Sequence, residues 1–117
     1  MNKKMLTIAL AALLLLAVGL SAQRTTLVNT ININPNPMDK YTQITITFNQ
    51  PTNVGVNIET EAGDVIKTLY WGPADEVLQI NWNRIGDDGS YTPSGHYILM
   101  VNHQARYTST KKTIILK

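Results

Sequence analysis

The chain of 117 residues contains no cysteine. That excludes disulfide cross-links, thiol nucleophiles, Cys-ligated zinc and iron–sulfur chemistry, so the fold must stand on its core. Histidine is almost as scarce: His96 and His103 are the two in the chain. Charged residues make up 15% of the sequence, and after residue 22 no stretch carries the 3.6-residue apolar period of a helix. Without a basic stripe, phosphate neutralisation has no footing and nucleic acid is not an expected partner.

What is present falls into two unlike parts. Lys3 and Lys4 precede an apolar run, Met5–Leu20, and "SAQ" follows with small residues. This is the layout of a secretory signal over residues 1–22, cut between Ala22 and Gln23; the run is short for the roughly 20 residues that span a bilayer. No cysteine follows it, so lipid attachment at a cysteine is excluded. The chain has 10 basic and 8 acidic residues; with Lys3 and Lys4 removed in the leader, the remainder carries eight of each sign and is neutral.

From residue 26 onward apolar residues recur at every second position, the period of a strand. Seven segments follow: 26–33, 42–49, 54–60, 65–71, 76–82, 96–101 and 110–117. Gly, Pro, Asn and Asp separate them, at spacings that predict an antiparallel β-sandwich. The expected inward residues are Ile44, Ile46, Phe48, Val54, Val56, Ile58, Leu78, Ile80, Trp82, Tyr97, Leu99 and Val101. "QPTN" at 50–53 reads as the turn of a hairpin joining the second and third strands, and "GPAD" at 72–75 as a break. The segment 65–71 alternates poorly, as a bulged or edge strand would. Residues 23–33 are a strand or an arm. Lys111, Lys112 and Lys117 on the last strand discourage edge-to-edge association.

Several pieces in order carry a resemblance: "NPNP" at 34–37, "AGDVIKTL" at 62–69 and "WNRIGDDGSYTPSGHY" at 82–97. Together they resemble the FlgD-like immunoglobulin-type domains and the similar C-terminal sorting domains of the type IX secretion system, over about residues 34–117. The matching positions are Pro35, Asn36, Pro37, Gly63, Ile66, Leu69, Trp82, Asp87, Gly89, Pro93, Ser94, Gly95 and Tyr97. Asn83 and Arg84 stand where that family has Asp-Gly, Gly86 where it has an acidic residue, Thr92 where it has Val, and His96 where it has an apolar residue. The resemblance implies an immunoglobulin-like sandwich of about seven strands and, for function, a signal read by a secretion machine.

The loop "GDDGSYTPSG" at 86–95 sets two carboxylates between glycines. Asn83, Asp87 and Asp88 are weak calcium candidates, because a calcium loop needs more oxygen ligands at alternate positions. The stronger reading is a fold device: Asp bonds its own turn, Gly89 takes a positive φ, and Pro93 presets the chain. Neither histidine has a nucleophile in triad spacing, and both read as solvated surface. Asp75 and Glu76 are neighbours and diverge. The residues therefore point to a non-catalytic exported module with no cofactor, located in the periplasm, at the outer-membrane surface or outside the cell. It would bind a protein partner or the secretion machinery, have no membrane span after cleavage, and self-associate through sheet edges. Trp71, Tyr91, Lys111 and Lys112 are the interaction candidates. A type IX sorting signal is the alternative, and a small carbohydrate-binding module using exposed aromatics a further one.

Overall fold

The computed structural model describes residues 27–103 and 108–117. The expected leader at 1–22 and its expected cleavage position at Ala22 and Gln23 lie outside the described residues. The strands are β1 (Val28–Asn34), β2 (Thr42–Phe48), β3 (Thr52–Thr60), β4 (Val65–Ala74), β5 (Val77–Trp82), β6 (Gly95–His103) and β7 (Thr108–Leu116). They form two antiparallel sheets, β1-β2-β5 and β4-β3-β6-β7. This is an all-β sandwich, as the alternation predicts.

Burial follows the period-two pattern. Ten of the twelve expected inward residues are buried, while Leu78 and Ile80 on β5 are only partly covered. The two sheets meet through Ile44, Ile46 and Phe48 on one side and Val54, Val56, Ile58, Leu99 and Val101 on the other, with Trp82 at one end. Ile114, Leu116 and Met38 complete this core. On β1, Val28 pairs with Phe48 and Thr30 with Thr47, so Asn29 is an extra, bulged residue. The bulge lets Val28 and Ile33 both point inward although their spacing is odd, and residues 28–34 join the three-stranded sheet.

Two local expectations are overturned. The second and third strands are not a hairpin: β2 pairs with β1 and β5, whereas β3 pairs with β4 and β6. The link through Pro51 crosses from one sheet to the other. Its turn chemistry fixes a reversal of direction but not the pairing partner, and facing apolar sides across the sandwich bury both strands equally well. The ladder is completed within β2's own sheet instead, where Phe48 N donates to Glu76 O at 2.8 Å and Asn49 N to Leu27 O at 2.9 Å. Likewise "GP" at 72–73 does not break the chain. β4 runs on to Ala74, because it is an edge strand and the missing N–H of Pro73 costs no ladder bond there.

Strand β4 also accounts for its own poor alternation. Its register against β3 shifts between Val56 and Asn57 and again between Ile58 and Glu59, leaving Leu69 and Ile66 as the extra residues. Three apart on a regular strand, they would face opposite ways. With a bulge at each, both pack on the core. The true hairpin of this region joins β3 to β4, closed by Gly63 N to Thr60 O at 2.9 Å and Thr60 N to Asp64 O at 2.8 Å.

Candidate functional site

The corner between β5 and β6 holds most of the chain's singled-out residues. Trp82 is buried at the end of β5, and its Nε1 donates to Ile85 O at 3.0 Å. Asn83 Oδ1 accepts from Ile85 N at 3.1 Å, which turns the chain. Ile85 bridges back to Tyr91. Between them Gly86 N donates to Ser90 O and Gly89 N to Gly86 O, a tight turn in which Gly89 takes φ 82°.

Both carboxylates of this loop bind main chain. Asp88 Oδ1 accepts from Ser90 N at 2.9 Å and Ser90 Oγ at 2.7 Å, and these bonds hold its carboxyl below the usual carboxylate range. Asp87 does more: its Oδ2 accepts from Thr68 N at 3.0 Å, and its own N donates to Ile66 O at 2.9 Å. It thus occupies the free edge of β4 beside the two bulges, with Lys67 Nζ 3.6 Å from its other oxygen. The pair is half exposed and contributes little as an ion pair. The calcium candidates Asn83, Asp87 and Asp88 are brought to one loop, but each carboxyl or amide oxygen bonded here has an amide or hydroxyl partner. Among the described residues no group of three His, Asp or Glu side chains is placed to hold a metal ion.

Arg84 is the residue that sequence reading passed over. It is 2% exposed and has φ 69°, the left-handed region where the resembling family places glycine. Its Nε donates to Thr92 O at 2.8 Å, Nη1 to Asp39 O at 2.7 Å, and Nη2 to Lys117 O at 2.8 Å and to Ser94 Oγ at 3.3 Å. The Tyr91 ring lies 4.6 Å from its guanidinium carbon, a cation–π contact. One planar group with five donors thereby ties the corner loop, the segment after "NPNP" and the end of β7 together. The signal in the sequence is a basic residue at a position where that family has glycine.

The remaining singled-out residues act on the same scaffold. Asn34–Pro35 and Asn36–Pro37 are cis peptides, and Thr42 Oγ1 donates to Pro35 O at 2.7 Å. The segment leaves β1 and runs along β7 of the opposite sheet. There Asn36 Nδ2 donates to Thr113 O at 3.1 Å and its Oδ1 accepts from Ile115 N at 2.9 Å, a side-chain amide standing in for a strand. Met38 continues the contact, donating to Ile115 O and accepting from Lys117 N. Tyr97 OH donates to Pro93 O at 2.8 Å, and Gly95 opens β6.

Of the interaction candidates, Trp71 is 65% exposed on the outer face of the four-stranded sheet, opposite Gly55. Tyr91 is exposed and stacked on Arg84. Lys111 is exposed, and Lys112 Nζ reaches across the sandwich to Ile31 O at 2.6 Å. An open groove of about 570 Å³ lies between β4 and β5, lined by Tyr41, Lys67, Leu69, Asn81, Trp82 and Asn83. His96 is exposed as expected. His103 is not the solvated residue its place at a strand end suggested: it is 4% exposed, with Nε2 bonded to Thr110 Oγ1 and, among the described residues, no partner for Nδ1. Burial lowers its pKa.

No protein-family model and no curated protein matches this sequence. Solved structures do. Dimeric latent PorU from Porphyromonas gingivalis matches 74% of this chain with a TM-score of 0.59 and 21% identity, and the match covers 9% of PorU. PorZ, an essential surface component of the type-IX secretion system of the same organism, matches 74% of this chain with a TM-score of 0.49 and 23% identity, over 11% of PorZ. This chain therefore spans a small part of the length of either protein, and the likeness to PorU is one of fold.

Proposed function

We propose that this chain is an exported, non-catalytic β-sandwich module that makes protein contacts at the cell surface or in an extracellular assembly, in a secretion-related setting. The observation that carries this reading is the use made of the corner loop. Asp87, Asp88, Asn83 and Arg84, the residues with chemistry to offer, are spent on main-chain hydrogen bonds that hold edges and turns. The expected leader at residues 1–22 supports export, and the neutral remainder speaks against a nucleic-acid partner. Fractionation of the source cell tests it: the protein is expected outside the cytoplasm, cut between Ala22 and Gln23, and a cytosolic uncut chain overturns it.

A type IX sorting signal is the second reading. It is favoured by the resemblance over residues 34–117 and by a fold shared with a domain-sized part of PorU. A reporter carrying residues 23–117, so that β1 is retained, should be displayed at the surface of a host that has that machine. A reporter kept inside the cell removes this reading and leaves the first one standing.

A further inference from the structure

Among the described residues four strands lie at sheet edges: β1, β5, β4 and β7. Exposed edges invite pairing, and folded proteins guard them with bulges, prolines, charges and covering segments. Three of the four are guarded here. β1 carries the Asn29 bulge, and its Ile31 carbonyl is taken by Lys112. β4 carries two bulges and Pro73, and Asp87 sits on its edge. β7 is covered by Asn36 and Met38 and studded with lysines.

Among the described residues strand β5 has none of these. Val77–Trp82 reads VLQINW, with no charge and no proline, and its register against β2 is unbroken. Glu76 O accepts from Phe48 N, so residues 76, 78, 80 and 82 turn their backbone groups toward β2. By alternation Val77, Gln79 and Asn81 turn theirs to the open side. The side chains give an independent sign. Leu78 and Ile80 belong to the inward set, yet they are only partly buried, whereas their partners Ile46 and Ile44 are at 0%. Val77 is 59% exposed. The groove beside Asn81 and Trp82 leaves that end of the edge accessible.

We infer that β5 is the site where a second copy of this chain adds its own β5, antiparallel, about a two-fold axis at Gln79. The inference rests on the protein-contact reading above and names its partner and register. The strand is complementary to itself. In that register Leu78 meets the partner's Ile80 on the inner side, and Val77 meets the partner's Asn81 on the outer. The two Gln79 residues form the central hydrogen-bonded pair. Asp75 and Glu76 fall opposite the partner's Asn83 and Trp82, so the acidic pairs of the two copies do not meet. The product is a continuous six-stranded sheet, β1-β2-β5 followed by its two-fold copy, and the interface is isologous.

The absence of cysteine makes a single-label test clean. Sedimentation of the purified protein should give a dimer at high concentration. A nitroxide on Gln79→Cys should show spin–spin broadening, because the two labels sit on a directly paired position with Cα atoms about 5.5 Å apart. The same label on Gln43→Cys, one strand further in on each copy, should not. Gln79→Pro removes an edge-facing N–H without touching the β2 ladder; it should abolish the dimer and leave the folded monomer. Gln79→Lys should do the same by charge. A monomer at every concentration overturns the proposal, and so does a dimer whose residue-79 labels stay unbroadened. Neither result bears on export or surface location, which fractionation decides separately.

Discussion

Arg84 concentrates more of the fold's polar bonding than any other described side chain, and its backbone works against it. The left-handed conformation at φ 69° costs a side-chain-bearing residue about 1–2 kcal/mol. The guanidinium offsets this by bonding oxygens of Asp39, Thr92 and Lys117, of which the buried Thr92 carbonyl is expensive to leave unpaired. The two terms separate by substitution. Arg84→Ala keeps the strain and loses the bonds, and should lower stability by about 3 kcal/mol. Arg84→Gly loses the same bonds but relieves the strain, and should be the milder by about 1 kcal/mol. Urea unfolding with an unchanged m-value checks both. The ionisable groups make a second prediction. Asp88 is held below its usual 3.8 by Ser90, so its contribution is complete above that value and disappears as pH falls through the lowered pKa. Ser90→Ala should bring the Asp88 carboxyl titration, followed by NMR, back up toward 3.8. His103 is held below 6.5 by burial. Below 6.5 the unfolded chain takes up a proton that the folded one refuses, so stability declines as pH falls from there toward the lowered pKa. His103→Gln should flatten that decline below about pH 6.5.

At the scale of strands, much was legible because burial on one face leaves a period of two that no other element shares. Ile44, Ile46 and Phe48, or Val54, Val56 and Ile58, could be placed inward without a structure. Their sheets could not. Alternation specifies which face is buried, and a proline turn specifies a reversal, but pairing partners are decided by long-range packing. So the arch between β2 and β3 read as a hairpin. The bulges that set Ile66 and Leu69 on one side were visible only as poor alternation. The corner's chemistry was half legible: the Asp and Gly residues announced a turn, but that Asp87 reaches the edge of β4, nineteen residues away, had no local sign. Nor did Asn36, whose amide replaces a strand beside β7. One cross-strand pair yields a prediction at this scale. A Cβ on Gly55 would lie 2.6 Å from Trp71 Cε3, so the indole rests directly on the glycine backbone, an aromatic covering a gap in the sheet. Gly55→Ala should displace the ring, seen in tryptophan emission, and lower stability by about 1–3 kcal/mol. In a Trp71→Ala background the same change should cost much less, and a double-mutant cycle measures the difference.

For the whole molecule, the guarding of edges is the organising constraint. A sandwich of three and four strands has four of them, and this one closes three with devices spread along the entire described chain: an Asn-Pro segment, an acidic corner and a lysine that crosses between sheets. The sequence resemblance begins at residue 34, after the strand that completes the smaller sheet. Without β1, strand β2 would become an edge, and Thr45, Gln43 and Thr47 would lose their backbone partners. Val28 and Ile33 would leave the core, at roughly 1.5–3 kcal/mol for each buried side chain, and Lys112 would lose its acceptor on Ile31. A two-stranded remnant facing a four-stranded sheet cannot cover Ile44 and Ile46 on its outer flank. A chain of residues 34–117 should therefore fail to give a cooperative unfolding transition and should associate through the bared strand. Residues 23–117 should unfold in a single step. Urea titration followed by far-ultraviolet circular dichroism, with sedimentation on the same samples, distinguishes the two. An equally cooperative and monodisperse short chain would mean that β1 is an ornament on a sandwich that the last six strands already complete.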